Sequence, residues 1–399
     1  MLTDIIKTYK KAIELSGARF FIEEENAVEE VLRKLVSFPT KSGDHIVALS
    51  AMRYIAAFVQ ERGMYVDWFE SNKFPSFVAT TRPHDLTPQV LLVAHVDVVP
   101  APQSMFVMRT EGDKYVGRGV YDMKFGIASF MQLIDDLKDD LATYDFGLMI
   151  TSDEEVGGRN GVKYLVEHEG YKPKVCIIPD AGDNWHIETF EKGVQWIKLE
   201  ATGTAAHASR PWEGEHAVHK LLAALADIRN VFPVHIDKKG TVLSVGTIKG
   251  GETANQIADY AEAMLDIRTG SRAEHTQIFP VIEQICRTHS IQATLLVDDV
   301  PCVNDLTNPF IACFKDILVD AIGEWPGTTY SYAVTDGRFF SALGIPCIIT
   351  MPPGGGWHGE AEWVSVEGCR QYCSMLRQYL EAVARKSVES VTHELTVTA

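Results

Sequence analysis

An almost unbroken apolar run, Val90 to Val99 (VLLVAHVDVV), is the feature of this 399-residue sequence that most restricts its fold. Such a run is typical of a strand buried on both faces, as in a mainly parallel sheet covered by helices. Shorter apolar runs occur at Phe146 to Thr151, Val175 to Ile178 and Cys347 to Met351, and segments with helical periodicity alternate with them. The sequence therefore predicts an α/β fold, in which ligands collect at the carboxyl ends of the strands.

The order of elements changes after Gly193. From Val194 to Val297 we predict strand, helix, two strands, helix and strand, which is the order of a split βαβ layer. From about Asn304 the alternation of helix and strand returns. We therefore predict a small α+β, ferredoxin-like domain over residues 193–303. It would be inserted into a catalytic domain with a helix-flanked, mostly parallel sheet, made of residues 1–192 and 304–399.

Charge and composition exclude several classes of partner. The chain has 37 Lys and Arg against 54 Asp and Glu, a net charge of −17, so a nucleic acid partner is not expected. No apolar run approaches the ~20 residues of a membrane helix, so no membrane partner is expected. The first 30 residues mix lysines and glutamates, unlike a secretory or transit leader, and we expect a cytoplasmic protein. The seven cysteines include no Cys-x-x-Cys, which favours buried thiols.

Polar side chains interrupt or follow the predicted strands. If the Val90 to Val99 run is one strand, His95 and Asp97 lie two apart on the same face, where burial is costly unless they pair or bind a metal. Taken singly, such residues are better explained by a core pair, a turn or a solvated loop. Together they form a set of possible metal ligands, which are His95, Asp122, Glu155, Asp180 and His358.

This ligand set suits a pair of zinc ions. Two histidines and three carboxylates hold two zinc ions if one carboxylate bridges them. Two metals ~3.5–4 Å apart clamp the attacking and leaving groups of a hydrolysis. Glu154, beside Glu155, would then be free to act as the general base.

The ordered motifs resemble those of a known family. They are His-Val-Asp-Val-Val-Pro at 95–100, Gly-Arg-Gly-x-x-Asp-Met-Lys at 117–124, Asp-Glu-Glu-x-Gly-Gly at 153–158, Pro-Asp at 179–180 and the late His358. In this order, and with an inserted domain, they resemble the dizinc family of aminoacylase, carboxypeptidase G, acetylornithine deacetylase and succinyl-diaminopimelate desuccinylase. The resemblance covers nearly the whole chain from about Ala27.

The resemblance implies roles for the residues of the centre. One zinc ion would be held by His95, Asp122 and Asp180, and the second by Asp122, Glu155 and His358, with Asp122 bridging. Co²⁺ or Mn²⁺ is possible in place of zinc. Asp97 would orient His95, and Glu154 would carry a proton from the attacking water to the leaving amine.

The third carboxylate departs from the commoner family pattern. Asp180 stands where the deacetylases usually carry Glu, and in this respect the chain is more similar to the family's dipeptidases. Asp183 is a nearby alternative to Asp180 as the ligand.

The inserted domain adds candidates by the same resemblance. His207 matches a histidine that stabilises the oxyanion, either in its own subunit or across a homodimer formed through the inserted domain. Asn255 and Arg268 match positions that hold the substrate, and Thr335 and Arg338 lie in a segment similar to the desuccinylase's substrate-binding loop. Arginine suits a bidentate clamp on a free carboxylate, although either arginine could instead belong to a surface ion pair.

The sequence thus predicts a metal-dependent hydrolase that cleaves the amide or peptide bond of a small substrate with a free carboxylate. The substrate would be an N-acyl amino acid, a dipeptide or a C-terminal residue of a short peptide. Three alternatives stay open at this point. They are a dipeptidase rather than a deacylase, a non-catalytic binding protein on the same scaffold, and metal-independent acyl transfer.

Overall fold

The structure of the protein is a computed structural model that describes residues 27–232 and 238–385. Most of the first 30 residues, on which the expectation of a cytoplasmic protein drew, lie outside the described residues, as do residues 386–399 of the predicted catalytic domain. None of the helices in the two described stretches combines the length and the apolar character that crossing a bilayer requires.

The described residues form nine α-helices and seventeen strands. The helices are α1 (Ala27–Val36), α2 (His45–Glu61), α3 (Lys124–Asp136), α4 (Val162–Glu167), α5 (Ala217–Val231), α6 (Arg272–Thr288), α7 (Pro309–Ile322), α8 (Gly337–Ala342) and α9 (Val366–Val383). The strands are β1 (Tyr65–Ser71), β2 (Phe74–Thr80), β3 (Val90–His95), β4 (Arg109–Thr110), β5 (Lys114–Val116), β6 (Phe146–Thr151), β7 (Val175–Ile178), β8 (Ile187–Glu191), β9 (Gly193–Thr202), β10 (Val242–Gly250), β11 (Tyr260–Thr269), β12 (Ile291–Asp299), β13 (Cys302–Val303), β14 (Thr328–Ser331), β15 (Cys347–Ile349), β16 (Gly354–Gly355) and β17 (Trp363–Ser365).

A six-stranded sheet in the order β1-β2-β6-β3-β7-β15 forms the centre of the larger layer. Only β2 runs opposite to the other five strands of this sheet. Adjacent residues of β3 point to opposite faces, so Leu92 packs in the core with α1, α2, α3, α7 and α9, and Leu91 in the core with α4 and α8. Helices thus bury both faces, and the predicted α/β fold with a mostly parallel sheet is confirmed.

The prediction of one strand from Val90 to Val99 is wrong in its second half, because β3 ends at His95. The backbone N–H of Val96 still donates to Thr151 of the neighbouring strand, at 2.9 Å. The N–H of Val98 instead donates to Thr40, at 3.0 Å, so the chain has left the sheet. Val96 and Val98 stay buried there, so the apolar run indicated buried side chains and not a strand that continues in the sheet. Asp97 therefore lies beyond the strand.

A second layer contains β9 to β12 in the antiparallel sheet order β10-β11-β9-β12, with α5 and α6 packed against it. Its apolar core, which includes Leu199, Leu221 and Ile282, is a cluster separate from the two cores of the larger sheet. The chain order of these elements is strand, helix, two strands, helix and strand, as the sequence predicts. The division at residues 193 and 303 stays a prediction; β9 begins at Gly193.

Two small sheets lie near the carboxyl ends of the central strands, and the sequence analysis predicted none of their strands. Their orders are β13-β8-β14 and β16-β17-β5-β4. These strands are two to five residues long, too short to show an alternation of polar and apolar residues. The seven cysteines are all free thiols, five of them buried, as predicted.

Because α3 packs in the core, two leucine-to-alanine substitutions are expected to differ strongly in their effect on the free energy of unfolding. Leu133 is 1% exposed in the core between α3 and the sheet, whereas Leu343 is 48% exposed after α8. We expect Leu133→Ala to lower the free energy of unfolding by roughly 2–5 kcal/mol, and Leu343→Ala to change it by no more than about 0.5 kcal/mol. Urea unfolding of both variants tests this, and equal losses would contradict the assigned core.

Candidate metal centre

The central strands bring the predicted ligands to one edge of the sheet. His95 is the last residue of β3, Glu154 and Glu155 begin a short 3₁₀ turn after β6, and Asp180 follows β7. Because β3, β6 and β7 are parallel, their carboxyl ends meet at this edge. Asp122 reaches it from the segment before α3, and His358 from the loop between β16 and β17.

Asp122 lies between the two histidines. Its Oδ1 is 3.3 Å from His95 Nε2 and its Oδ2 is 3.0 Å from His358 Nε2. The other carboxylates extend the cluster on each side, with Asp180 Oδ1 3.7 Å from His95 Nε2 and Glu155 Oε2 3.3 Å from His358 Nε2. One carboxylate therefore presents a separate oxygen to each half of the cluster, as a bridging ligand does.

The side chains form two groups that could each hold a metal ion. In each group, one ligand atom from every member lies within 4.8 Å of the others. The groups are His95, Glu154 and Asp180, and Asp122, Glu155 and His358. The five ligands named from the sequence thus come together, and Glu154 joins them as a member of the first group.

The tautomer of His95 fits a metal ligand. Its Nδ1 is 2.9 Å from the backbone oxygen of Asp97, and because a carbonyl only accepts, Nδ1 carries the proton. Nε2 then faces the carboxylates of Asp122 and Asp180, and this buried atom has no hydrogen-bond partner among the described residues. A bound cation would satisfy both the nitrogen and the acids, since zinc accepts nitrogen and oxygen ligands. The residues present therefore fit a pair of divalent ions.

The carboxylate of Asp97 holds the turn that carries the two glutamates. It accepts the backbone N–H groups of Glu154 and Glu155, both at 3.2 Å, and the hydroxyl of Ser42 at 3.1 Å. Its Oδ1 lies 3.4 Å from His95 Nδ1. The backbone oxygen of Asp97 lies closer to the same nitrogen, at 2.9 Å. Asp97 thus contacts both His95 and the turn that carries Glu154.

Burial, together with nearby charges, shifts the pKa values of the acids in the cluster. Burial raises the pKa of Asp180 to about 6 and that of Glu155 to about 7. Burial, reinforced by the charge of Asp180, raises the pKa of Glu154 well above its usual value. Burial acts in the same direction on Asp122, but the two neighbouring histidines, His358 and His95, outweigh it and lower the pKa of Asp122. Such a cluster stays fully ionised only when cations neutralise it.

A buried ion pair that the sequence analysis missed connects the two segments beside the cluster. Arg118 Nη1 lies 2.5 Å from Glu362 Oε2, and both side chains are at most 3% exposed. The same arginine donates to the backbone oxygens of His358 and Gly359, at 2.9 and 3.1 Å. Glu362 Oε1 accepts the backbone N–H of Asp122 at 3.2 Å. Arg118 lies in the Gly-Arg-Gly-x-x-Asp-Met-Lys motif at 117–124, but the sequence analysis assigned it no role.

Asp183, the alternative to Asp180, belongs to a different contact. Its Oδ1 accepts a hydrogen bond from the Tyr121 hydroxyl at 2.7 Å, and its Oδ2 lies 3.4 Å from Trp357 Nε1. Among the described residues, Asp180 is the one of the two that belongs to a metal-binding group.

The predicted substrate residues are spread over two places. Thr335 lines the cavity beside the cluster, whereas Arg338 is 2% exposed and its guanidinium contacts Asp299 and the backbone oxygens of Thr335 and Gly157. His207 and Asn255 lie in adjacent exposed loops of the smaller layer, joined by a hydrogen bond from the Ala208 N–H to the Asn255 carbonyl.

Arg268 lies on β11 and pairs with Asp266 at 2.8 Å. Neither this arginine nor the two loop residues, His207 and Asn255, line the cavity beside the cluster.

Comparison with known proteins agrees with this geometry. Residues 91–382 match peptidase family M20/M25/M40, and the chain belongs to this family. It is therefore a hydrolytic enzyme, in a family whose substrates are small molecules or peptides.

Relatives and solved structures support the assignment. The succinyl-diaminopimelate desuccinylase of Gluconobacter oxydans is 28% identical over 273 residues, which is 64% of this chain and 71% of that protein. The crystal structure of a Staphylococcus aureus tripeptidase superposes with a TM-score of 0.72 and 18% identity, over 91% of this chain and 99% of that one. An M20 family metallo-carboxypeptidase of Sulfolobus solfataricus gives a TM-score of 0.68 and 15% identity, over 90% and 99%. At these identities the two structures show the fold alone.

Loss of the buried ion pair predicts damage to both stability and metal binding. In Glu362→Gln, Arg118 is left charged and buried, so we expect the free energy of unfolding to fall by roughly 3–5 kcal/mol. We also expect Zn²⁺ affinity to fall about 10–100-fold, because Asp122 and His358 lose their support. Urea unfolding and calorimetric Zn²⁺ titration measure the two effects. Glu367→Gln, at a glutamate with a side chain 58% exposed, is the matched control, and identical behaviour of both variants would contradict this role.

Proposed function

We propose that this chain hydrolyses the amide or peptide bond of a small substrate with a free carboxylate, using two divalent ions, most simply zinc. The position of Asp122 between His95 and His358 is the observation that carries the proposal. Bound there, the ions would polarise the scissile carbonyl and activate the attacking water. His95 and Asp180 would hold one ion, Glu155 and His358 the other, and Asp122 both. Cobalt or manganese also suits these ligands.

Glu154 is proposed as the general base. It lines the cavity beside the cluster, so a substrate and a water molecule in that cavity are within its reach. Burial and the charge of Asp180 raise its pKa, which favours acceptance of a proton from the water and its delivery to the leaving amine. The backbone contact with Asp97 fixes the turn on which Glu154 lies.

The residues of the smaller layer are proposed to act across a homodimer formed through the inserted domain. His207 is exposed and does not line the cavity of its own chain, which supports a role at the site of a partner subunit. There it would stabilise the oxyanion. Arg268 and Asn255 would bind the substrate from the same layer, and Thr335 from the cavity wall. The cytoplasmic location stays a prediction.

Arg338 contributes differently to this proposal. Because it is buried with three hydrogen-bonded partners, we propose that it supports the segment carrying Thr335 rather than clamping a carboxylate itself. The non-catalytic alternative has less support, because the residues proposed as metal ligands and as general base lie together at one edge of the sheet.

Substitution of Glu154 separates a base from a ligand. We expect Glu154→Gln to lower kcat on N-acyl amino acids or dipeptides by about 10²–10⁴-fold, since proton transfer contributes this much. We also expect two metal ions per chain to remain by elemental analysis, as in the exposed control Glu70→Gln. Retention of normal turnover would contradict the role as base, and loss of one ion would make Glu154 a ligand.

The arginine clamp predicts a dependence on the substrate's carboxylate. We expect Arg268→Ala to lower kcat/KM about 10–100-fold on a substrate with a free carboxylate, since a charge-assisted contact is lost. On the corresponding carboxamide the loss is expected to be much smaller. Arg287→Ala, an exposed arginine of the same layer, is the control for general effects. Equal losses on both substrates would exclude Arg268 from the clamp.

A further inference from the structure

A cavity of about 480 Å³ lies beside the candidate metal centre. The metal cluster forms one side of it, and β14 with the residues that follow forms another. Its volume is in the range of small-molecule sites. The cavity is therefore the place where a substrate with its scissile bond at the cluster would extend.

The charges of this cavity do not balance once two divalent ions are bound. Six carboxylates line it, and no lysine or arginine of the described residues does so. Four of the six belong to the metal-binding groups, which are Asp122, Glu154, Glu155 and Asp180. Two divalent ions carry four positive charges and neutralise these four. Asp183 and Glu188 are then the lining carboxylates without a bound cation, and in a cavity of low dielectric an ionised carboxylate attracts a cation.

Glu188 is a buried carboxylate in the wall of this cavity. Its side chain projects from β8 and is 2% exposed. One oxygen, Oε2, accepts a hydrogen bond from the Thr329 hydroxyl at 2.9 Å. Burial raises the pKa of Glu188 to about 7, although this hydroxyl and the backbone N–H groups of Ser331 and Phe190 act to lower it. All of these donors are neutral, so a cation that reached the carboxylate would favour its charged form.

Asp183 adds a second fixed negative charge to the same wall. The donors that hold it, the Tyr121 hydroxyl and Trp357 Nε1, are both neutral, so they orient the carboxylate without neutralising it. The ring of Trp357 also lines the cavity, and the face of an indole ring attracts cations. Carboxylates and an aromatic ring together are suited to an ammonium group.

We propose that Glu188, assisted by Asp183, binds a protonated primary amine of the substrate. This rests on the proposed function, because the substrate must place its scissile bond at the metal centre. The substrate class is then narrower, namely peptides or amino-acid derivatives with an unblocked amine. The amine is either the amino terminus of a short peptide or the side-chain amine of a lysine-like residue.

Matched pairs of compounds test this without requiring turnover. Binding to the zinc-loaded full chain carrying Glu154→Gln is measured by calorimetry for alanyl-alanine against N-acetyl-alanyl-alanine, and for N-acetyl-lysine against N-acetyl-norleucine. We expect the compound with the amine to bind more than about tenfold tighter in one pair, because a charge-assisted contact is worth this much. The first pair identifies an amino terminus and the second a side-chain amine.

Variants of the two carboxylates test whether they cause the tighter binding of the compound with the amine. Adding Glu188→Gln is expected to abolish the preference for the amine, and Asp183→Asn to weaken it, whereas the exposed control Glu70→Gln keeps it. Absence of a preference in both pairs, or its persistence in Glu188→Gln, would overturn the proposal. If Glu188→Gln does not fold, an undiminished preference in Asp183→Asn overturns the proposal. Zinc-dependent hydrolysis by the wild-type enzyme is scored separately, so the proposed function stands or fails independently of the amine.

Discussion

The buried contact between Arg118 and Glu362 joins the two distant segments that carry Asp122 and His358. A carboxylate that serves two histidines must be held within a few tenths of an ångström, and here its backbone N–H is bound directly by Glu362. A buried ion pair adds little net stability by itself, but the loss of one partner is expensive. The pair therefore acts mainly by fixing position, and the arrangement of the second metal group depends on it.

Concentrated negative charge is the second constraint. The parallel strands deliver acids to one edge of the sheet, where burial and mutual repulsion oppose their ionisation. Bound divalent cations would resolve this conflict for the four acids of the cluster. The two further acids, Asp183 and Glu188, lie in the wall of the cavity, where a substrate amine would pair with them. One electrostatic principle would thus connect the proposed binding of metals with the proposed choice of substrate.

The sequence predicted the central sheet, the split βαβ order and the five clustered ligands, because long apolar runs and spaced motifs are local signals. It did not predict that β3 ends at His95, since Val96 and Val98 are buried outside the sheet. The partnership of Arg118 with Glu362 was also missed, because it joins residues that are 244 positions apart. The proposed amine site depends on Glu188, which lies in a strand too short to be recognised from the sequence.

Anomalous diffraction from a crystal of the zinc-loaded enzyme is the most direct test of the central claim. The account predicts two zinc peaks per chain, about 3.5–4 Å apart, with one oxygen of Asp122 directed at each. His95 and His358 should each bind a different ion through Nε2. A single peak, or two peaks that do not share Asp122, would contradict the bridged pair of ions on which this description of the enzyme is built.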